Sequence, residues 1–417
     1  MWKKGSALLL ALMLLLTGCA GEASLVRDAM VASLEKHNYD FEGTIKLTGD
    51  IDKLPAALGK QQQDKESAAI LAAVQAGVTV KGTVLDTKNM KFNVEVNDDK
   101  LLREKQFWTG DKKAALEVVI NDGKLFAKTP LDQKYLLFDT NVINAAALGE
   151  NVKVDAAKIK EYQDKMNKLA IDFMKKYFAT YGYKLSNAKN LGTETVQLPN
   201  GEKVKATHVA VNLDAKELIN MFFYTANDAV TNQEVKKFAI EMMVLSNSLN
   251  EELLNPEKKT SEAEKRAVAE AMVTAGLAKA KQWLDTEGKK QTPEQLLEKA
   301  KQNGFHGVTL NMDFYITEEK LPVRQKSTLN VTFQVPEMKQ PLTIGLESDQ
   351  YSYNFNKATK YDVPSKDAAV TLDQLKQDKK ALDAFREKGF LRVFAEKALE
   401  EHQALEQFKT MEQETKK

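Results

Sequence analysis

Val308, Leu310, Met312, Phe314 and Ile316 alternate with Thr309, Asn311, Asp313, Tyr315 and Thr317. A period of two puts every second side chain on one face, so this stretch reads as a strand with one face buried and one wet. The pattern recurs after Leu321-Pro322, where Leu329, Val331, Phe333 and Val335 alternate with Asn330, Thr332 and Gln334. It recurs in Met90, Phe92, Val94 and Val96 against Lys91, Asn93 and Glu95. Strands of this kind need a covering layer over their apolar faces and turns short enough to bring neighbours side by side.

The turns are written in the sequence. Asn121-Asp122-Gly123 separates strand-like runs 115–120 and 124–128, and Pro199-Asn200-Gly201 separates 193–198 from 203–213. Gly accepts positive φ without steric cost, so such steps signal hairpins. Further strands read at 41–49, 78–86, 134–139 and 342–353, for a total of about eleven, many in antiparallel order.

The covering layer also reads out. In 155–178 the residues Ile159, Tyr162, Met166, Leu169, Phe173 and Tyr177 step by three or four, an apolar helical stripe. Residues 24–37, 64–77, 214–253, 262–283 and 293–302 read as helices, the last capped by Thr292 and ended by Asn303-Gly304. Thr371 with Gln374 forms a capping box that opens a helix to about Gly389, and a second helix runs from Phe390 to about Phe408. The expected class is α+β: a curved antiparallel sheet packed on helices, with a central helical insertion over 214–302 and C-terminal helices.

The N-terminus carries the address. Lys3 and Lys4 precede an apolar run over 7–16, followed by Leu16-Thr17-Gly18-Cys19. The run is too short to span a bilayer but suits a secretory signal core. Its end resembles a bacterial lipobox, which implies cleavage before Cys19 and a diacylglyceryl group on its sulfur. The alternative is an ordinary signal peptide with a chance cysteine. No run of about 18 apolar residues follows Cys19, so the lipid on Cys19 is the expected membrane attachment. Ser24 reads as a helix N-cap, leaving a tether over 19–23 that reaches at most about 17 Å. The expected location is the extracytoplasmic face of the cell membrane.

The strand order resembles the LolA/LppX family of envelope lipoproteins and lipoprotein carriers. Two phrases carry the resemblance: Tyr315-Ile316-Thr317-Glu318-Glu319-Lys320-Leu321-Pro322-Val323-Arg324, and Leu191-Gly192-Thr193-Glu194 leading to Thr207-His208-Val209. The resemblance implies a half-barrel closed over helices around an apolar cavity, here over 24–355. The helical segment 356–417 and the insertion over 214–302 depart from the family pattern.

Chemistry is sparse. With 60 Lys+Arg against 59 Asp+Glu, no global basic field recruits nucleic acid. The single cysteine excludes a disulfide framework and a cysteine-built zinc site. His37, His208, His306 and His402 share no helix face and form no metal motif, so surface or satisfied histidines are expected. No nucleophile elbow, P-loop or dinucleotide fingerprint occurs. Asp50-Ile51-Asp52 and Asp98-Asp99 read as solvated turns rather than calcium sites, lacking EF-hand spacing. The aromatics Phe173, Tyr177, Phe178, Tyr181 and Tyr183, and Tyr351, Tyr353 and Phe355, read as core packing ahead of a lipid or glycan site. No cofactor, metal or catalytic residue is expected. The expected function is non-catalytic binding of a lipid or lipidated ligand in an apolar cavity. The alternative is an assembly protein of the envelope that uses the same fold to dock a protein partner through exposed helix faces in 214–302. An envelope hydrolase would need clustered carboxylates that only tertiary structure brings together.

Overall fold

The computed structural model describes residues 23–36, 38–53, 65–106, 108–139, 156–254, 260–335, 338 and 340–400. Cys19 and the other residues of the expected leader and tether before residue 23, together with His37 and His402, lie outside the described residues.

In chain order the elements are α1 (Ala23–Ser33), β1 (Tyr39–Gly49), α2 (Lys65–Ala76), β2 (Val78–Val84), β3 (Asn89–Val96), α3 (Lys100–Glu104), β4 (Ala115–Asn121), β5 (Lys124–Lys128) and β6 (Tyr135–Asp139). There follow α4 (Ala156–Thr180), β7 (Ala188–Gln197), β8 (Lys203–Asp214), α5 (Ala215–Ala229), α6 (Gln233–Leu254), α7 (Glu262–Thr286) and α8 (Pro293–Gln302). The chain continues through β9 (Phe305–Ile316), β10 (Pro322–Phe333), β11 (Leu342–Tyr353), β12 (Ala369–Thr371) and α9 (Leu372–Gln377). Residues 390–400 are again helical.

The strands hydrogen-bond in the order β12-β6-β5-β4-β3-β2-β1-β11-β10-β9-β8-β7, twelve in all. The class is therefore α+β, as expected. The sheet is mixed rather than antiparallel throughout, because β12 runs parallel to β6, with Ala369, Val370 and Thr371 opposite Tyr135, Leu136 and Leu137. Three residues are too few to show a period, which is why β12 is invisible in the sequence. By contact density the chain forms two compact units, one from Met1–Lys36 with Asn141–Gly345 and one from His37–Thr140 with Leu346–Lys417.

In the first unit, register decides the core. Val209, Val211 and Leu213 of β8 lie opposite Phe314, Met312 and Leu310 of β9. All six are buried, together with Val26 and Ala29 of α1 and Met221 of α5. The 318–320 turn forms as its residues suggest: Lys320 adopts φ 61°, and Leu321 donates from its N–H to Thr317 Oγ1 at 3.2 Å. Pro322 then begins β10 at a bulge, where its missing N–H costs no ladder bond.

The helix expected over 214–253 is two helices. Asp214 caps α5, its side chain accepting from the Glu217 N–H at 2.8 Å. The chain leaves helix at Val230, and Asn232 restarts it: its Oδ1 accepts from the Glu234 N–H at 2.9 Å while its Nδ2 donates to Asp228. A short amide side chain that bonds the backbone competes with the helical ladder, and here it wins. The aromatic group on α4 is core, as expected. Tyr177, Phe178 and Tyr181 are buried, and Phe173 stacks on Phe238 of α6 at 4.2 Å between centroids.

In the second unit, β1 to β6 form an antiparallel meander. The Asp122-Gly123 hairpin adopts φ 49° and 81°, the positive pair that its sequence permits. The capping box at Thr371 is present, but the helix it opens stops at Gln377 instead of near Gly389. Asp378 accepts from the Lys380 N–H at 2.9 Å and starts a 3-10 turn over Lys379–Ala384. That tighter turn buries Leu382 and Phe385 against Leu136, Val370 and Leu391. Arg386 N–H is fixed at 2.9 Å by the Asp132 carboxylate. Burial of two large side chains outweighs the helix propensity of the run.

Candidate functional site

The second unit contains an apolar cavity of about 230 Å³. Strands β2 and β3 supply one wall through their inward positions: Val78 and Val96 lie opposite each other in register, with Val94 beside them. Helix α2 supplies another through Ile70, Ala73 and Val74. Leu102 of α3, Trp108, Ala114, Ala115, Leu116, Thr129 and Phe390 complete it. The void has a sequence cause. Ala73, Ala114 and Ala115 stand where larger apolar side chains would reach into the space, so the volume a Leu or Phe would fill stays open.

The lining offers nothing polar to a ligand. Thr129 is its one polar residue, and its hydroxyl already donates to Asp132, which also accepts from the Thr129 N–H at 3.0 Å. Trp108 presents its ring, because the indole N–H is spent on the Lys112 carbonyl at 2.7 Å. Ile70 is 54% exposed, so the lining reaches solvent at α2. An apolar cavity of about 150 Å³ already stays dry and takes small apolar molecules, while whole drug-sized ligands fill about 300–1,000 Å³. The space therefore fits part of a hydrocarbon chain, with any polar head left outside.

The first unit holds a larger groove, of about 580 Å³, between α4, α6 and α7. Its floor is aromatic, with Tyr162, Phe173 and Phe238, but its rim is charged in both signs. Several rim charges are already matched: Arg266 meets Glu241 at 2.8 Å and Lys176 meets Glu234 at 4.0 Å. These two pairs link α6 to α7 and α4 to α6.

His208 is the one histidine drawn into a constellation. Its Nδ1 lies 2.8 Å from Glu194 Oε1 on β7, and its Nε2 lies 2.7 Å from Asp313 Oδ1 on β9. Neutral imidazole can donate from one nitrogen only, so two carboxylate partners call for the imidazolium. Burial alone would lower the histidine pKa. The hydrogen bonds to Asp313 and Glu194 outweigh it and hold the pKa above its ordinary 6.5. The ring stacks on Tyr315 at 4.4 Å, and the Arg324 guanidinium lies 5.4 Å from the Tyr315 centroid. The histidine is satisfied, as expected, and serves as a pin across three strands. Both ring nitrogens are committed, which leaves neither for a metal or a proton transfer.

The acidic pairs are structural too. Asp50 meets Lys53 at 2.8 Å and Asp52 accepts from Gln75, while Asp99 holds Arg103 at 2.8 Å and the Ala114 N–H at 3.0 Å. Among the described residues no group of three or more His, Cys, Asp or Glu side chains could hold a metal ion, and no helix is long and apolar enough to cross a membrane. Asp40 is a buried carboxylate that sequence reasoning missed. It accepts from Thr83 Oγ1 at 2.6 Å, Asn354 Nδ2 at 2.7 Å and Thr359 Oγ1 at 2.8 Å, fastening the segment after β11 to β1. No local signal marks it, because Thr83 lies 43 residues on and Asn354 and Thr359 more than 300.

No known family model, curated protein or solved structure matches this chain.

Proposed function

We propose that this protein is a non-catalytic, extracytoplasmic lipoprotein, anchored through a lipid on Cys19, that holds the apolar end of a lipid or lipidated ligand in its second unit. We read its sheet as a half-barrel of the LolA/LppX kind, a reading that rests on the two sequence phrases and the antiparallel pairing of β1 to β6 and of β7 to β10. The observation that carries the binding function is the cavity beside Trp108: lined by apolar side chains, its one hydroxyl already committed, and open to solvent at Ile70. Such a lining repays an alkyl chain by about 0.8 kcal/mol per buried CH₂ and penalises any polar atom brought in without a partner. Nothing in it can activate a nucleophile, so binding is the chemistry it supports.

The test uses the full chain in lipid nanodiscs with a diazirine-bearing fatty acid. Photolabelling should concentrate on peptides containing Leu102 and Trp108. Ala73→Phe and Ala115→Leu, which occupy the void from opposite walls, should each reduce that label at least fivefold while leaving the thermal transition in place. Label spread evenly over the surface, and indifferent to both variants, would overturn the proposal. Incorporation of radioactive palmitate into the wild type but not into Cys19→Ser checks the anchor.

A further inference from the structure

Helices α4 and α6 run antiparallel along the groove of the first unit: Lys176 meets Glu234 near one end, and the Tyr162 hydroxyl donates to Glu252 at 3.1 Å near the other. From Tyr162 to Lys176 the groove follows α4 for about 21 Å. Its volume of about 580 Å³ is that of a site for a whole small ligand. The floor has no polar group to spare. Ser248 Oγ donates to Glu262 at 3.3 Å and accepts from Lys265 at 3.1 Å, the Tyr162 hydroxyl is spent on Glu252, and helical backbone groups bond internally. An extended peptide laid there would find no partners for its amides, whereas an alkyl chain needs none.

The rim charges answer one another, with two exceptions. Beyond Arg266 with Glu241 and Lys176 with Glu234, Lys165 meets Glu161 at 2.7 Å and Glu262 meets Lys265 at 3.2 Å. Asp172 of α4 and Lys237 of α6 line the groove, are exposed, and make no ion pair or hydrogen bond with any described residue. Each stands one residue before a floor aromatic, Phe173 or Phe238, and those rings stack at 4.2 Å between centroids. One free acid and one free base thus flank the aromatic floor from facing helices. A ligand head of one sign would satisfy one of them and bring a like charge beside the other. A head with one centre of each sign satisfies both, and electrostatic matching of this kind selects between ligands of equal apolar area.

We propose that the groove between α4 and α6 binds a zwitterionic amphiphile, with its alkyl chain on the Phe173–Phe238 floor, its anionic centre at Lys237 and its cationic centre at Asp172. This site is separate from the cavity beside Trp108, which belongs to the other unit, and it rests on neither that cavity nor the lipid anchor.

The test uses the full chain in phosphatidylglycerol nanodiscs, photolabelled with a diazirine-bearing alkyl phosphocholine and, separately, with the carboxylate and the trimethylammonium compound of the same chain length. The share of label on peptides containing Phe173 and Phe238 should be about fivefold higher for the phosphocholine than for either single-charge probe, the yield of one exposed ion pair. Asp172→Lys and Lys237→Glu should each remove that excess without moving the thermal transition, because neither residue holds a partner in the protein. Asp172→Lys combined with Lys237→Glu keeps one charge of each sign in the groove and should restore the excess, which damage to folding or to apolar packing would not allow. Equal labelling by the three heads overturns the proposal, as does the absence of label from the groove. So does labelling indifferent to the single variants, or a double exchange no better than either of them.

Discussion

The His208 pin makes the stability of the first unit depend on pH in one direction. Its folded pKa is raised above the unfolded 6.5. The stabilisation is therefore fully present below about pH 6.5 and is lost as pH rises through the folded value. The magnitude follows from the geometry. The imidazole side chain is 11% exposed and makes two charge-assisted bonds, of 2.8 and 2.7 Å. Each such bond is worth about 1.5–3 kcal/mol when buried. Here Glu194 and Asp313 are 49% and 37% exposed, and solvent screening reduces the yield of each. His208→Gln, which keeps at most neutral hydrogen bonds, should therefore cost about 1–2 kcal/mol at pH 5.5 and much less at pH 9. For a unit of this size that is a drop of several degrees in Tm at the lower pH. The assay is thermal unfolding of wild type and variant across pH 5–9, with the His208 ring followed by NMR. A ring that titrates below 6.5, or a variant penalty equal at both ends of the range, would refute the imidazolium assignment.

Other outcomes follow from the same contacts. Asp40 in the second unit has the opposite sign. Burial pushes its pKa up, but its hydrogen bonds to Thr83, Asn354 and Thr359 hold it below the ordinary carboxylate value. Its contribution should be present above about pH 4 and lost as pH falls, and Asp40→Ala should lower stability by about 2–3 kcal/mol near neutrality in urea unfolding. Removing the α5 cap with Asp214→Ala should cost about 1 kcal/mol, seen as a shift in urea midpoint without a change in slope. Trp108→Ala should destabilise the second unit by about 3–5 kcal/mol by enlarging the void, and added long-chain fatty acid should restore part of that loss in a thermal shift assay.

Where packing is periodic, local sequence was enough. The alternation in 308–316 and 90–96, the Asp122-Gly123 and Asn200-Gly201 turns, the helix cap at Thr292 and the capping box at Thr371 all correspond to observed elements. Where a side chain competes with the ladder, it was not. Asn232 divides a continuous helical pattern, and burial of Leu382 and Phe385 replaces an α-helix with a 3-10 turn. The walls of the cavity beside Trp108 could not be read from the sequence. Ile70, Trp108 and Phe390 meet only through tertiary structure, and the alanines that leave it open are unremarkable in sequence. His208 was recognisable as a residue to be satisfied, yet Asp313, its partner across 105 positions, was not.

The measurement that tests the central claim most directly is native mass spectrometry of the full chain released from lipid nanodiscs, comparing wild type with Ala73→Phe. The account predicts one apolar ligand per wild-type chain beyond the acyl groups on Cys19, and its loss in the variant. A wild-type mass that carries nothing beyond the covalent anchor, or a bound lipid retained in full by Ala73→Phe, would contradict it.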